Sequence, residues 1–67
     1  MTELDNEIIE LLVTMEEQVS FAAEDSVKFI QGNNSAGTRV RKAMQNIKDL
    51  AQRVRVEVQA QKNGALV

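Results

Sequence analysis

The chain has 67 residues, with 8 Lys and Arg against 10 Asp and Glu, and it contains no Cys, His, Pro, Trp or Tyr. A chain of that length is one domain at most and buries too small a share of its surface to be comfortable alone, so it needs a staple or a partner. The missing Cys and His exclude disulfides, zinc thiolates, thiol nucleophiles and the usual general base, and no apolar run approaches the ~20 residues that span a bilayer. The amino terminus is acidic where a secretory signal is basic. These features point to a soluble cytoplasmic protein with no membrane contact. With no proline and an abundance of Glu, Gln, Lys, Arg and Ala, long helices are favoured over sheet.

The first segment, about residues 2–31, carries Ile8, Leu12, Met15, Val19, Ala22, Ser26 and Phe29 at alternating steps of four and three, a heptad seam. Leu4, Leu11, Ala23, Val27 and Ile30 widen it into one broad buried face. Thr2 with Asp5 reads as an N-cap pair, and Glu3, Asp5 and Glu7 suit the positive end of a helix dipole. Gly32, Asn33 and Asn34 then form a stop signal, since Gly and Asn tolerate the left-handed backbone that ends helices. Asn34 or Ser35 can cap a new helix within a hinge over 32–35.

The second segment, about residues 35–63, has its own seam of Val40, Met44, Ile47, Ala51, Val54 and Val58, with Ala43 and Leu50 alongside. Arg41, Lys48, Arg55 and Lys62 form one heptad row on it; Thr38, Gln45, Gln52 and Gln59 form the next. Lys62, Asn63 and Gly64 read as a helix end, followed by a frayed tail over 64–67 against which Leu66 can fold back. Two helices of matched length joined by a short hinge predict an all-α antiparallel hairpin in a single domain. A lone hairpin leaves apolar surface wet, so the simplest expectation is a two-fold homodimer forming a four-helix bundle; the plainer alternative is a single long bent helix or a hairpin that dimerises only through its helix ends. Ile8, Leu12, Met15, Val19, Val40, Met44, Ile47 and Val54 are the candidate oligomerisation residues.

Charge is divided between the halves. Residues 1–31 hold eight carboxylates against Lys28, whereas residues 32–67 hold seven cations against Asp49 and Glu57. Either the first helix neutralises the second, or the basic half faces a polyanion. The plainer possibility is two solvated faces with weak cross-helix ion pairs. At the hinge, free amides at a helix N-terminus attract anions, and Thr38, Arg39, Arg41 and Lys42 stand beside them. Gly37 leaves room for an anion or for the other helix. Phosphate contacts from Arg39, Arg41 and Lys42, extended by Lys48 and Arg55, would give a polyanion a salt-sensitive grip that hardly depends on sequence. No base-reading device accompanies them.

Enzymatic chemistry is not expected. Glu16 with Glu17, and Glu24 with Asp25, are sequence neighbours and diverge by about 100° on a helix, a poor geometry for paired acid–base work or for one metal ion. No metal site, cofactor or small-molecule substrate is expected, and no phosphate-loop, zincin or nucleophile-elbow motif occurs.

The stretch Gly32-Asn33-Asn34-Ser35-Ala36-Gly37-Thr38-Arg39-Val40-Arg41-Lys42-Ala43, followed by Ile47, Leu50 and Arg55, resembles the small bacterial histone-like proteins typified by the chlamydial linker-histone-like nucleoid protein. The resemblance runs from about Phe29 to Lys62. It implies non-enzymatic DNA binding and chromosome compaction in a nucleoid-associated protein, and position by position it singles out Gly32, Asn33, Arg39, Arg41 and Lys42. The sequence departs from the type in its acidic first half and in having no long lysine-rich run. The expected function is therefore a histone-like DNA-binding protein, contacting phosphates through Gly32, Asn33, Thr38, Arg39, Arg41, Lys42, Lys48 and Arg55. The competing expectation is a helical protein-interaction or assembly module that ignores nucleic acid.

Overall fold

A computed structural model describes residues 6–64 and consists of two helices: α1, Glu7–Ile30, and α2, Asn34–Gly64. Their 24 and 31 residues correspond to rods of about 36 and 46 Å. They lie antiparallel as the heptad patterns require, and no strand occurs among the described residues.

The start of α1 differs from the expectation of a helix from about residue 2. Asn6 is extended, with φ −132° and ψ 140°, so no helix continues through it. Its Oδ1 accepts the Ile8 N–H at 2.8 Å, which satisfies one of the free amides of the first turn. The Thr2 and Asp5 cap lies outside the described residues, as do the tail from Ala65 onward and the Leu66 fold-back.

The turn uses three residues where four were expected. Gly32 has φ +108°, the Gly32 N–H donates to the Phe29 carbonyl at 2.9 Å, and the Asn33 N–H donates to the Lys28 carbonyl at 3.0 Å. These two bonds are the Schellman ending of α1. Asn33 then caps α2: the Ala36 N–H donates to the Asn33 side-chain oxygen at 3.1 Å and to its carbonyl at 3.2 Å. The cap is therefore Asn33, not Asn34 or Ser35, because one residue closes the first helix and opens the second. Replacing Gly32 with Ala is expected to cost about 1–2 kcal/mol, since a side chain at that φ is strained. At a fixed protein concentration the thermal midpoint should drop by roughly 5–10 °C; an unchanged midpoint would show that the turn relaxes freely.

The helices meet through small residues. Leu11, Ala22, Ala36 and Ala43 are the buried apolar residues among the described ones, so the helices approach over methyl groups. Gly37 belongs to the same contact: a Cβ placed there would lie 2.6 Å from Phe29 Cδ1, so its open side faces the Phe29 ring. At the far end Asn6 and Gln61 exchange two amide hydrogen bonds of 3.0 Å, closing the hairpin opposite its turn.

The expected broad buried face of α1 is not buried within one hairpin. Leu11 takes the inner position, whereas Leu12 is 40% exposed, Val19 53% and Ile30 82%. The physical reason is geometric. With Ala22 and Ala36 setting a close approach, the inner line of α1 runs through Leu11, Gln18, Ala22 and Asp25, and the wider apolar stripe is turned to one side. Ile8, Met15, Val40, Ile47 and Val54 remain half-buried at the edges of the contact.

Candidate nucleic-acid interface

The direction of rotation sorts the residues that flank the inner line onto two sides. Helical side chains advance by about 100° per residue, and in an antiparallel pair the two rotations mirror each other. Residues just after an inner position therefore share one side of the hairpin, here called the front, and residues just before an inner position share the back. Leu12 follows Leu11, Val19 follows Gln18, and Met44 follows Ala43, so they line the front. Glu10, Glu17 and Glu24 precede Leu11, Gln18 and Asp25, so they line the back. The cross-helix contacts agree: Gln18 and Asn46 meet with 3.3 Å between Asn46 Nδ2 and Gln18 Oε1, on the side where Phe21, Asp25, Arg39, Lys42 and Asn46 border one groove.

This sorting divides the cations. Arg39 precedes Val40 and reaches Asp25 on the back. Its Nε donates to both carboxylate oxygens at 3.1 Å and its Nη2 to Oδ1 at 2.9 Å. The Arg39 side chain keeps 51% of its surface exposed while that of Asp25 keeps 16%. The hydrogen bonds from Arg39, opposed in part by desolvation, hold the Asp25 carboxyl below its usual range, and the same bonds raise the guanidinium. Arg53 lies 3.8 Å from Glu7, also on the back. Lys42 precedes Ala43 and is exposed on that side.

The second row has a different setting. Arg41, Lys48 and Arg55 follow Val40, Ile47 and Val54, so they stand on the front, are exposed, and make no ion pair with a described carboxylate. Lys62, which was not among the candidate contacts, follows Gln61 and continues the row. With members seven positions apart, successive charges are about 10 Å apart, and the row is about 31 Å long. On α1, Glu16 is the acidic residue that shares the front, since Glu7, Glu10, Glu17 and Glu24 are on the back. The acidic helix therefore does not cover this row.

The remaining candidates have local duties. Gly32 and Asn33 shape the turn, and the Asn33 side-chain oxygen is occupied by the Ala36 amide. Thr38 is exposed on the outer surface of α2. Between Phe29 and Arg41 lies an open depression of about 440 Å³, also lined by Ser26, Gly37 and Val40; its walls are largely apolar, unlike a phosphate cradle. No cluster of three or more metal-ligating side chains occurs among the described residues. No described helix is long and apolar enough to cross a membrane.

The match that decides the family spans both helices. The model of the family described as Histone H1-like protein Hc1 matches residues 9–64. The chain belongs to this family. Comparison with curated proteins and with solved structures gives no significant match. The Hc1 match begins at Ile9, inside the acidic helix, and ends with α2, so the family pattern is that of the whole hairpin and extends well beyond the turn and its arginines. In this Hc1-family chain, the exposed basic row and the apolar front belong to the same unit.

Proposed function

We propose that the chain is a non-enzymatic, histone-like DNA-binding protein that grips duplex phosphates through Arg41, Lys48 and Arg55 without reading sequence. The observation that carries this reading is the position of that row, exposed on the front and clear of the acidic face, in a chain of the Histone H1-like Hc1 family. Lys62 extends the row, Lys42 adds charge on the other side of α2, and Arg39 is withdrawn from the interface by Asp25. Asn33 and Gly32 position the row by setting the turn, and Thr38 stands one helical turn from Arg41 and Lys42. In a cell such a protein associates with the nucleoid.

Pairing of two hairpins is part of the same proposal. Val19, Leu12 and Met44 are half exposed on the front, beside the half-buried Ile8, Met15, Val40, Ile47 and Val54. A two-fold homodimer through this strip completes a core and sets a basic row along each of its rims.

The testing experiment is a salt titration of binding to two unrelated duplexes of equal length. The logarithm of the binding constant should fall linearly with the logarithm of salt, with a slope of roughly −3 to −4 for each row engaged. The two duplexes should bind alike within about twofold. Affinity that ignores salt would overturn the reading in favour of an assembly module indifferent to nucleic acid.

A further inference from the structure

The back of the hairpin carries a feature that DNA binding leaves unused. Glu10, Glu17 and Glu24 recur every seven residues along α1, and all three are exposed. They stand twenty-two, fifteen and eight residues before Gly32; Arg55, Lys48 and Arg41 stand the same numbers after Asn33. The observed pairs Asp25 with Arg39, Gln18 with Asn46 and Asn6 with Gln61 lie at equal counts from the turn to within two residues, and the long Arg53 side chain reaches Glu7 across a difference of five, so residue count measures height along the hairpin to about one helical turn. The acidic and basic rows therefore match in spacing, in length and in height. Within one chain they point away from each other, Glu toward the back and Arg and Lys toward the front.

We propose that this arrangement fits a second copy of the same hairpin, stacked back to front in the same orientation. The α1 of such a neighbour runs antiparallel to the α2 it meets, as within a hairpin. Sideways displacement alone then brings Glu24 of one copy beside Arg41 of the next, Glu17 beside Lys48, and Glu10 beside Arg55. Each pair taken singly is weak, but three in register act together, and they specify both orientation and height. Because the contact joins two different surfaces, it does not close on itself and continues from copy to copy as an open array. It is a separate contact from the apolar homodimer. It shares the basic row with the proposed phosphate grip, so a neighbouring copy and a DNA strand compete for the same charges. Its test uses no DNA, which keeps its failure distinct from failure of that reading.

The experiment is sedimentation velocity at tens of micromolar protein, comparing about 20 mM with 0.5 M salt, over which screening of exposed charges tightens from ~20 Å to ~4 Å. The wild-type chain should show species larger than a dimer at low salt and lose them at high salt. One variant carries Glu10→Lys, Glu17→Lys and Glu24→Lys, another Arg41→Glu, Lys48→Glu and Arg55→Glu. Each alone should lose the large species at low salt, and an equimolar mixture should regain them, because each supplies the charge the other lacks. A chain carrying both sets of substitutions should associate by itself, and it decides the matter if either single set fails to give helical circular dichroism. A wild-type distribution indifferent to salt, or helical variants that do not recover association on mixing, would overturn the proposal.

Discussion

Changing Arg41, Lys48 and Arg55 together to glutamine is expected to weaken binding to random duplex DNA roughly 500-fold at 0.1 M salt. The magnitude follows from counterion release. Each phosphate neutralised contributes about −0.9 to the slope of log K against log salt, so three lost contacts flatten the slope by about 2.7 and remove about 2.7 decades at 0.1 M. Glutamine keeps most of the side-chain length and the helix propensity, so the loss should come from charge and not from unfolding. The comparison that gives the experiment its meaning is Arg39→Gln. Arg39 sits nearest the turn and belongs to the same arginine-rich run, yet its guanidinium is held by Asp25 with three hydrogen bonds. Its substitution should leave DNA affinity within about threefold and the slope changed by less than one unit. If the two effects were reversed, the front row would be the wrong surface and the turn the right one.

Much of the hairpin was legible before any coordinates. Heptad spacing on both sides of a Gly-Asn-Asn stop specifies two antiparallel helices, because an apolar stripe of period 3.5 must be covered and a short turn leaves only the neighbouring helix to cover it. The line of contact within that stripe was harder to read. Leu11 and Leu12 are equally apolar, and the choice between them is made by Ala22, Ala36 and Ala43, whose small size permits close approach but carries little hydrophobic signal. The observed cap of α1, Asn6, is hard to read for a related reason. Thr2 with Asp5 has the look of a capping pair, but Asn6 has a partner 55 residues away in Gln61, a contact no local window contains.

The division of the charges was legible in part. The heptad row Arg41, Lys48, Arg55 and Lys62 is visible in the sequence, whereas its separation from the acidic residues depends on the inner line and so on the alanines. The capture of Arg39 by Asp25 depends on the register. With the turn placed at Gly32 and Asn33, Asp25 stands seven residues before one and Arg39 six after the other, which brings them level. A hinge drawn one residue later, as the sequence alone suggested, hides that correspondence. Arg39, one of the residues read as phosphate ligands, is therefore a clamp between the helices.

The front strip gives the last large effect. Val19→Asp is expected to convert a dimer of twice 7.5 kDa into single hairpins when mass is measured by light scattering at about 10 µM. Val19 is 53% exposed in one hairpin, so a carboxylate there costs the isolated chain little. In a bundle closed through the strip, each copy loses the apolar contact of valine and must desolvate a charge. Together these amount to about 4 kcal/mol or more per dimer, roughly a thousandfold in dissociation constant. Phe21→Asp is the matched control: Phe21 is larger and 59% exposed, but it precedes Ala22 and faces the back. Both variants belong at 0.5 M salt, where screening to ~4 Å suppresses contacts between charge rows and leaves the apolar one. Loss of the dimer with Val19→Asp and its retention with Phe21→Asp would assign the interface to the front. Equal behaviour of the two would remove that assignment, and with it the reason for a basic row to lie along the rim of a bundle.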